Sequence, residues 1–161
     1  MEMNYLILFV AALIPMLIGF IWYNPKTFGN TWMKAADMTE EKINSGKMGV
    51  IFGVSYIFSI LIASALMGFV IHQMGVFSLV GGNAELLKTG SAAAFMAEYG
   101  NEFRTFKHGL LHGVIAGFTI ALPILGINAL FERKGFKYIA VNAGYWIVTL
   151  GLMGGIICQF M

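Results

Sequence analysis

A chain of 161 residues that is 58% hydrophobic and 11% charged cannot hide its apolar surface inside one soluble domain, where about 45–50% apolar and about 25% charged residues are usual. Its mean hydropathy of +0.78 points to lipid as the solvent. A formal charge of +2 without runs of like charge argues against a nucleic-acid partner. The single cysteine, Cys158, excludes an internal disulfide, a cysteine zinc cluster and a dithiol redox motif; in an apolar run it reads as a buried, inert thiol.

A hydrocarbon core of about 30 Å needs roughly 20 apolar residues in a helix. Four segments meet that requirement: Tyr5–Tyr23, Val50–Met74, His108–Phe131 and Tyr138–Phe160. Continuous runs of this length imply helices rather than barrel strands. The expected fold is an all-α polytopic membrane protein, a single domain with four transmembrane helices in a bundle. The first segment does not read as a cleaved signal peptide, because it follows Glu2 rather than a basic region and ends on bulky Trp22-Tyr23.

The loops set the expected topology. Loop one carries Lys26, Lys34, Lys42 and Lys47, and loop three Arg133, Lys134 and Lys137, against Lys88, Arg104 and Lys107 on the other side. The positive-inside bias places loops one and three in the cytoplasm and both termini outside. Loop one is expected to hold a short helix, with Asp37 and Glu40 as its capping box and Asn44-Ser45-Gly46 as its stop. Loop three, at about six residues, makes a tight hairpin of spans three and four. Loop two opens on Gly81-Gly82-Asn83. It then repeats Phe95, Tyr99, Phe103, Phe106 and Leu110 at helical spacing, which predicts an amphipathic extracytoplasmic helix over Ser91–Phe106 that runs on into span three.

Within the spans, Gly109, Gly113 and Gly117 recur every four residues, and Gly151 and Gly155 answer them in span four. Such spacing brings helix backbones together, within the chain or across a dimer seam. Span two adds Ser55, Ser59, Ala63, Ser64 and Gly68. Pro15 and Pro123 fall mid-span and favour kinks. Ile14-Pro15-Met16-Leu17 resembles Leu122-Pro123-Ile124-Leu125, which leaves an ancient hairpin duplication open beside chance similarity.

At the end of span one stands Trp22-Tyr23-Asn24-Pro25, followed by Phe28-Gly29 and Trp32. Aromatic residues suit the headgroup level, so the motif reads first as an interfacial anchor, with an aromatic ligand pocket as the sharper alternative. The pattern Trp22-Tyr23-x-Pro25-x-x-Phe28-Gly29-x-x-Trp32 resembles the signature of domain of unknown function 1761, a family of small bacterial membrane proteins. The similarity continues through Lys107-His108-Gly109, Asn128-Ala129-Leu130-Phe131-Glu132, Gly144-Tyr145-Trp146 and Leu152-Met153-Gly154. The resemblance implies four helices in a bacterial inner membrane and supplies no catalytic residues.

The ionisable groups leave one cluster. His72, His108 and His112 all map to the outer side, with Glu102 and Glu98 near the same helix face if the helix is continuous. Histidines at i and i+4 can share a metal, and carboxylates complete many such sites; two of these histidines could instead flank a haem. The alternative is a hydrated polar face at the headgroup level without a ligand. Asn128 and Asn142 sit near the inner hairpin. Nothing resembles a nucleophile with its base or a phosphate loop.

The favoured expectation is a non-enzymatic assembly, accessory or structural membrane component without a cofactor or resident metal, whose partners are the lipid bilayer and either a second copy or another membrane protein. A transporter or channel subunit is the alternative, opposed by the scarcity of charge within the spans. A metal- or haem-binding protein using the outer histidines is the third reading.

Overall fold

The computed structural model describes residues 3–161, so Glu2 lies outside the described part. Every regular element among the described residues is helical. Three helices are long and apolar enough to cross a membrane: α5 (Met48–Val70), the continuous helix Phe106–Phe131, and α10 (Phe136–Phe160). The first apolar segment, Leu6–Trp22, is shorter.

Pro15 divides that first segment. Proline has no N–H to return to the carbonyl four residues back. Accordingly α1 (Leu6–Ala11) closes with the Leu13 N–H on the Val10 carbonyl at 3.1 Å, and α2 (Ile14–Trp22) restarts with Pro15 in its first turn. Pro123 is accommodated differently. α8 (Phe106–Ala116) widens into a π-helical turn over Gly117–Ala121 before α9 (Leu122–Phe131), so the span continues through it. The two proline segments are alike in sequence and unlike in backbone.

Loop one holds two helices, α3 (Gly29–Ala36) and α4 (Glu40–Asn44). The expected Asp37 cap is corrected here: Thr39 is the N-cap, its hydroxyl accepting from the Lys42 N–H at 3.2 Å. Asp37 instead ends α3 in the left-handed region at φ 55°, a conformation that Asp tolerates better than most residues. Its carboxylate takes a hydrogen bond from the Lys134 ammonium at 2.6 Å, and Lys134 also reaches the Ala36 carbonyl at 3.3 Å. Loops one and three therefore meet at one end of the molecule. At the other end the Asn4 N–H bonds the Met161 carbonyl at 3.1 Å. Loop three spans residues 132–135 and is tighter than expected, with Arg133 left-handed at φ 60°.

The Lys134 ammonium holds the Asp37 carboxyl below its ordinary range, and Asp37 in turn raises the lysine. A depressed acid stabilises the fold above its unfolded pKa of about 4 and loses that contribution as pH falls through the lower folded value. The raised lysine contributes below its own unfolded pKa, so the pair is complete at neutral pH. Asp37→Asn, which keeps the left-handed tolerance, is expected to remove a small acid-sensitive component from the thermal unfolding transition. Identical acid profiles for the two proteins would show that the pair is energetically silent.

α10 is the buried helix: 61% of its most apolar stretch is covered, against 17% in each of the other two long helices. Its closest neighbour is α8, and the glycines explain why. A methyl group on Gly109 would meet the Gly154 carbonyl, and one on Gly113 would meet the Leu150 carbonyl. At Gly117 it would lie 2.6 Å from the Ile147 Cα. From the other side, a methyl group on Gly151 would lie 2.9 Å from a Val114 methyl and one on Gly155 would lie 2.6 Å from the Phe106 ring. All five glycines therefore line one intramolecular seam, where backbone approaches backbone.

Two boundaries in the middle of the chain differ from expectation. Span two ends at Val70 rather than Met74: Ile71 is extended (φ −112°, ψ 98°), and α6 (Gln73–Leu79) sets off from His72. The Val70 carbonyl, freed by that break, accepts the Cys158 thiol at 3.1 Å, so the buried cysteine closes the end of the helix. The helix expected over Ser91–Phe106 is shorter and does not enter span three. α7 (Gly90–Tyr99) stops at Gly100, and Phe103 turns the chain at φ 60°. Thr105 then caps α8, its hydroxyl accepting from the His108 N–H at 3.3 Å.

Candidate metal centre

The break at Ile71 positions the site. A straight continuation of α5 would carry His72 onward around the helix; instead His72 sits at the corner, while α8 presents His108 and His112 one turn apart. The three imidazoles converge. Their ring centroids are 4.8 Å (His72–His108), 5.0 Å (His72–His112) and 4.4 Å (His108–His112) apart. One potential ligand nitrogen from each lies within 4.8 Å of the others.

A neutral imidazole carries one donor and one acceptor. The cluster makes a single bond between its members, His108 Nε2 to His72 Nε2 at 2.8 Å. His112 has no hydrogen-bond partner among the described residues. An ion held at about 2.0–2.1 Å by three nitrogens in a tetrahedral arrangement sets them about 3.3 Å apart. The bonded pair would open by about 0.5 Å and the widest pair close by about 1.5 Å, which side-chain rotation can supply. Haem fits poorly. Two axial nitrogens stand about 4 Å apart across a flat macrocycle, and the His72 and His108 rings are already in contact.

Residues outside the triad hold it in place. Phe103 lies edge-on to His72 (6.0 Å between centroids) and tilted against His108 (5.1 Å). That placement follows from its left-handed backbone, which costs a phenylalanine of order 1 kcal/mol or more. Gln73, 3% exposed, donates from Nε2 to the carbonyls of Tyr99 (2.8 Å) and Glu102 (3.0 Å), pinning the turn after α7 beside His72. Arg104 donates from Nε to the Cys158 carbonyl at 2.9 Å, and the Cys158 thiol also reaches the Phe103 carbonyl at 3.2 Å.

The site thus differs from its sequence-level outline. Glu102 enters through its backbone carbonyl, and its carboxylate is outside the ligand group, because the turn at Gly100–Thr105 breaks the helix that would have aligned it with His112. Gln73 is absent from that outline, and Phe103 figures there only on the apolar face of the expected helix, not at the site. A polar glutamine directly after His72 in an apolar run was the available signal for one; nothing in the sequence marked Phe103 as left-handed.

The aromatic motif at the opposite end ties the Leu6–Trp22 segment to α10. The Trp22 indole donates to the Val141 carbonyl at 3.0 Å, and the Tyr23 hydroxyl donates to Asn142 Oδ1 at 3.0 Å. Trp22 packs on Phe28 at 4.5 Å, and Tyr23 on Trp32 at 5.3 Å. At Gly29 a methyl group would meet the Tyr23 carbonyl, so the chain turns there only with glycine. Asn142 also donates to the Tyr138 carbonyl at 2.8 Å.

An all-α protein with three helices able to cross a membrane, carrying a three-histidine cluster of metal-ligand dimensions, is the class that fold and site define. The chain belongs to the family described as protein of unknown function (DUF1761), whose model matches residues 6–158. No curated protein and no solved structure matches it.

Proposed function

We propose that this chain is a metal-binding accessory protein of a bacterial cytoplasmic membrane, without catalytic chemistry of its own, that takes one divalent transition-metal ion on His72, His108 and His112. The observation that carries the reading is the convergence of three imidazoles from two elements, with His112 left without a hydrogen bond. Three neutral nitrogens suit zinc or copper(II), and a tetrahedral ion would keep its fourth position for water or a partner's ligand. In this reading the apolar segment Leu6–Trp22 is a fourth, thinner span. The seven-to-three distribution of basic residues puts the triad on the outer side with both termini.

The test is metal analysis and titration of the purified chain in detergent with zinc(II) and copper(II). One ion per chain is expected, with a rise in the thermal transition. A stoichiometry no higher than that of a protein lacking all three histidines would overturn the reading.

A further inference from the structure

The end of the molecule opposite the triad holds a second candidate site. A cavity of about 710 Å³ lies between α2, α3, α5 and α10, within the size range of small-molecule pockets. Pro25 and Trp32 of the aromatic motif wall it on one side, Met48 and Ser55 of α5 on another, and Tyr145 and Trp146 on the third.

Its walls are apolar and aromatic but carry donors with nothing to bond. Ser59, Ser64 and Thr119 each donate to the carbonyl four residues earlier at 2.8 Å. Ser55 makes no such bond, and its side chain has no partner among the described residues. The indoles divide in the same way. Trp22 donates to Val141, whereas the N–H groups of Trp32 and Trp146 have no partner among the described residues. These donors are accessible and uncommitted, so an occupant that brings acceptors suits them.

It also brings negative charge. Lys26 directly follows the wall residue Pro25, and Lys47 directly precedes the wall residue Met48. Both are exposed, and neither has an acidic partner among the described residues, unlike Lys134 with Asp37.

We propose that this cavity is a saturable site for one anionic glycerophospholipid. An acyl chain fills the aromatic-walled space, its ester carbonyls accept from the Ser55, Trp32 and Trp146 donors, and its phosphate group lies by Lys26 and Lys47. Two lysines near an anionic headgroup favour it over a zwitterionic one by at least about tenfold.

The full chain in detergent, titrated with a phosphoglycerol-headed or a phosphocholine-headed lipid of identical acyl chains, tests this by native mass spectrometry and thermal shift. The expected result is one retained phosphoglycerol lipid per chain at saturation, binding at least about tenfold more tightly than the phosphocholine lipid. Lys26→Gln with Lys47→Gln should erase that preference. Ser55→Trp, at an exposed position that fills the cavity without touching the core, should abolish retention of both lipids while the protein stays folded by circular dichroism. Equal binding of the two headgroups, non-saturating uptake, or retention undiminished in Ser55→Trp would overturn the proposal. Because none of these variants touches the histidine triad, the outcome is independent of whether that triad binds metal.

Discussion

His112→Ala should lower the affinity for zinc(II) or copper(II) by at least about hundredfold, since removing a group that merely orients a ligand already costs about 10–100-fold. The expectation follows from the geometry: His72 and His108 can satisfy one another at 2.8 Å without an ion, whereas His112 has only the ion to turn to. Its removal leaves a bonded pair with no reason to open. Competition against a chromophoric chelator reads the affinity directly. Metal at 100 times its dissociation constant stabilises the chain that binds it by about 2.7 kcal/mol, so the wild-type transition should rise with metal and that of His112→Ala should not. Lys107→Ala, at an exposed position just before His108, controls for surface effects. An affinity equal in wild type and His112→Ala would show that the cluster is a hydrogen-bonded corner and not a metal centre.

Gly113→Leu is expected to produce the largest loss of stability, at the upper end of the about 1–3 kcal/mol usual for overpacking. What stands in the way is the Leu150 carbonyl and the Cα of Gly151, not the flexible end of a side chain. Backbone cannot rotate aside, so α8 and α10 must separate along their seam. Gly68→Leu provides the contrast. A methyl group there meets nothing within 4 Å, and the change should stay within about 0.5 kcal/mol. Thermal or denaturant unfolding in a single detergent compares the two. Equal transitions for Gly113→Leu and Gly68→Leu would mean that the α8–α10 contact contributes little to holding the fold together.

Features that depend on neighbours along the chain were legible beforehand. The apolar runs marked α5, the Phe106–Phe131 helix and α10 within a few residues, because hydropathy is a local sum. The four-residue glycine spacing marked the faces that α8 and α10 turn toward each other. Pro15 and Pro123 marked two irregularities, although not that one would be a break and the other a π turn; each proline removes a donor, and the surrounding packing decides how the backbone absorbs the loss. The i, i+4 pair His108 and His112 was visible from helical periodicity alone.

What periodicity could not show was where helices stop for tertiary reasons. Ile71 leaves the helix without a glycine or proline to announce it, and the Val70 carbonyl released there is taken by the thiol of Cys158. Phe103 adopts a left-handed backbone that a phenylalanine avoids on its own. The turn is tied by Gln73 to the carbonyls of Tyr99 and Glu102, and by the Cys158 thiol to that of Phe103. Both departures run against local preference, so only contacts formed on packing can sustain them. The amino-acid order by itself determined the long apolar helices, the glycine faces and the three histidines as a set. Tertiary structure alone decided that His72 meets His108 and His112 while the Glu102 carboxylate does not, because one helix ends four residues before a continuous pattern would have ended it and another never reaches the span it was expected to join.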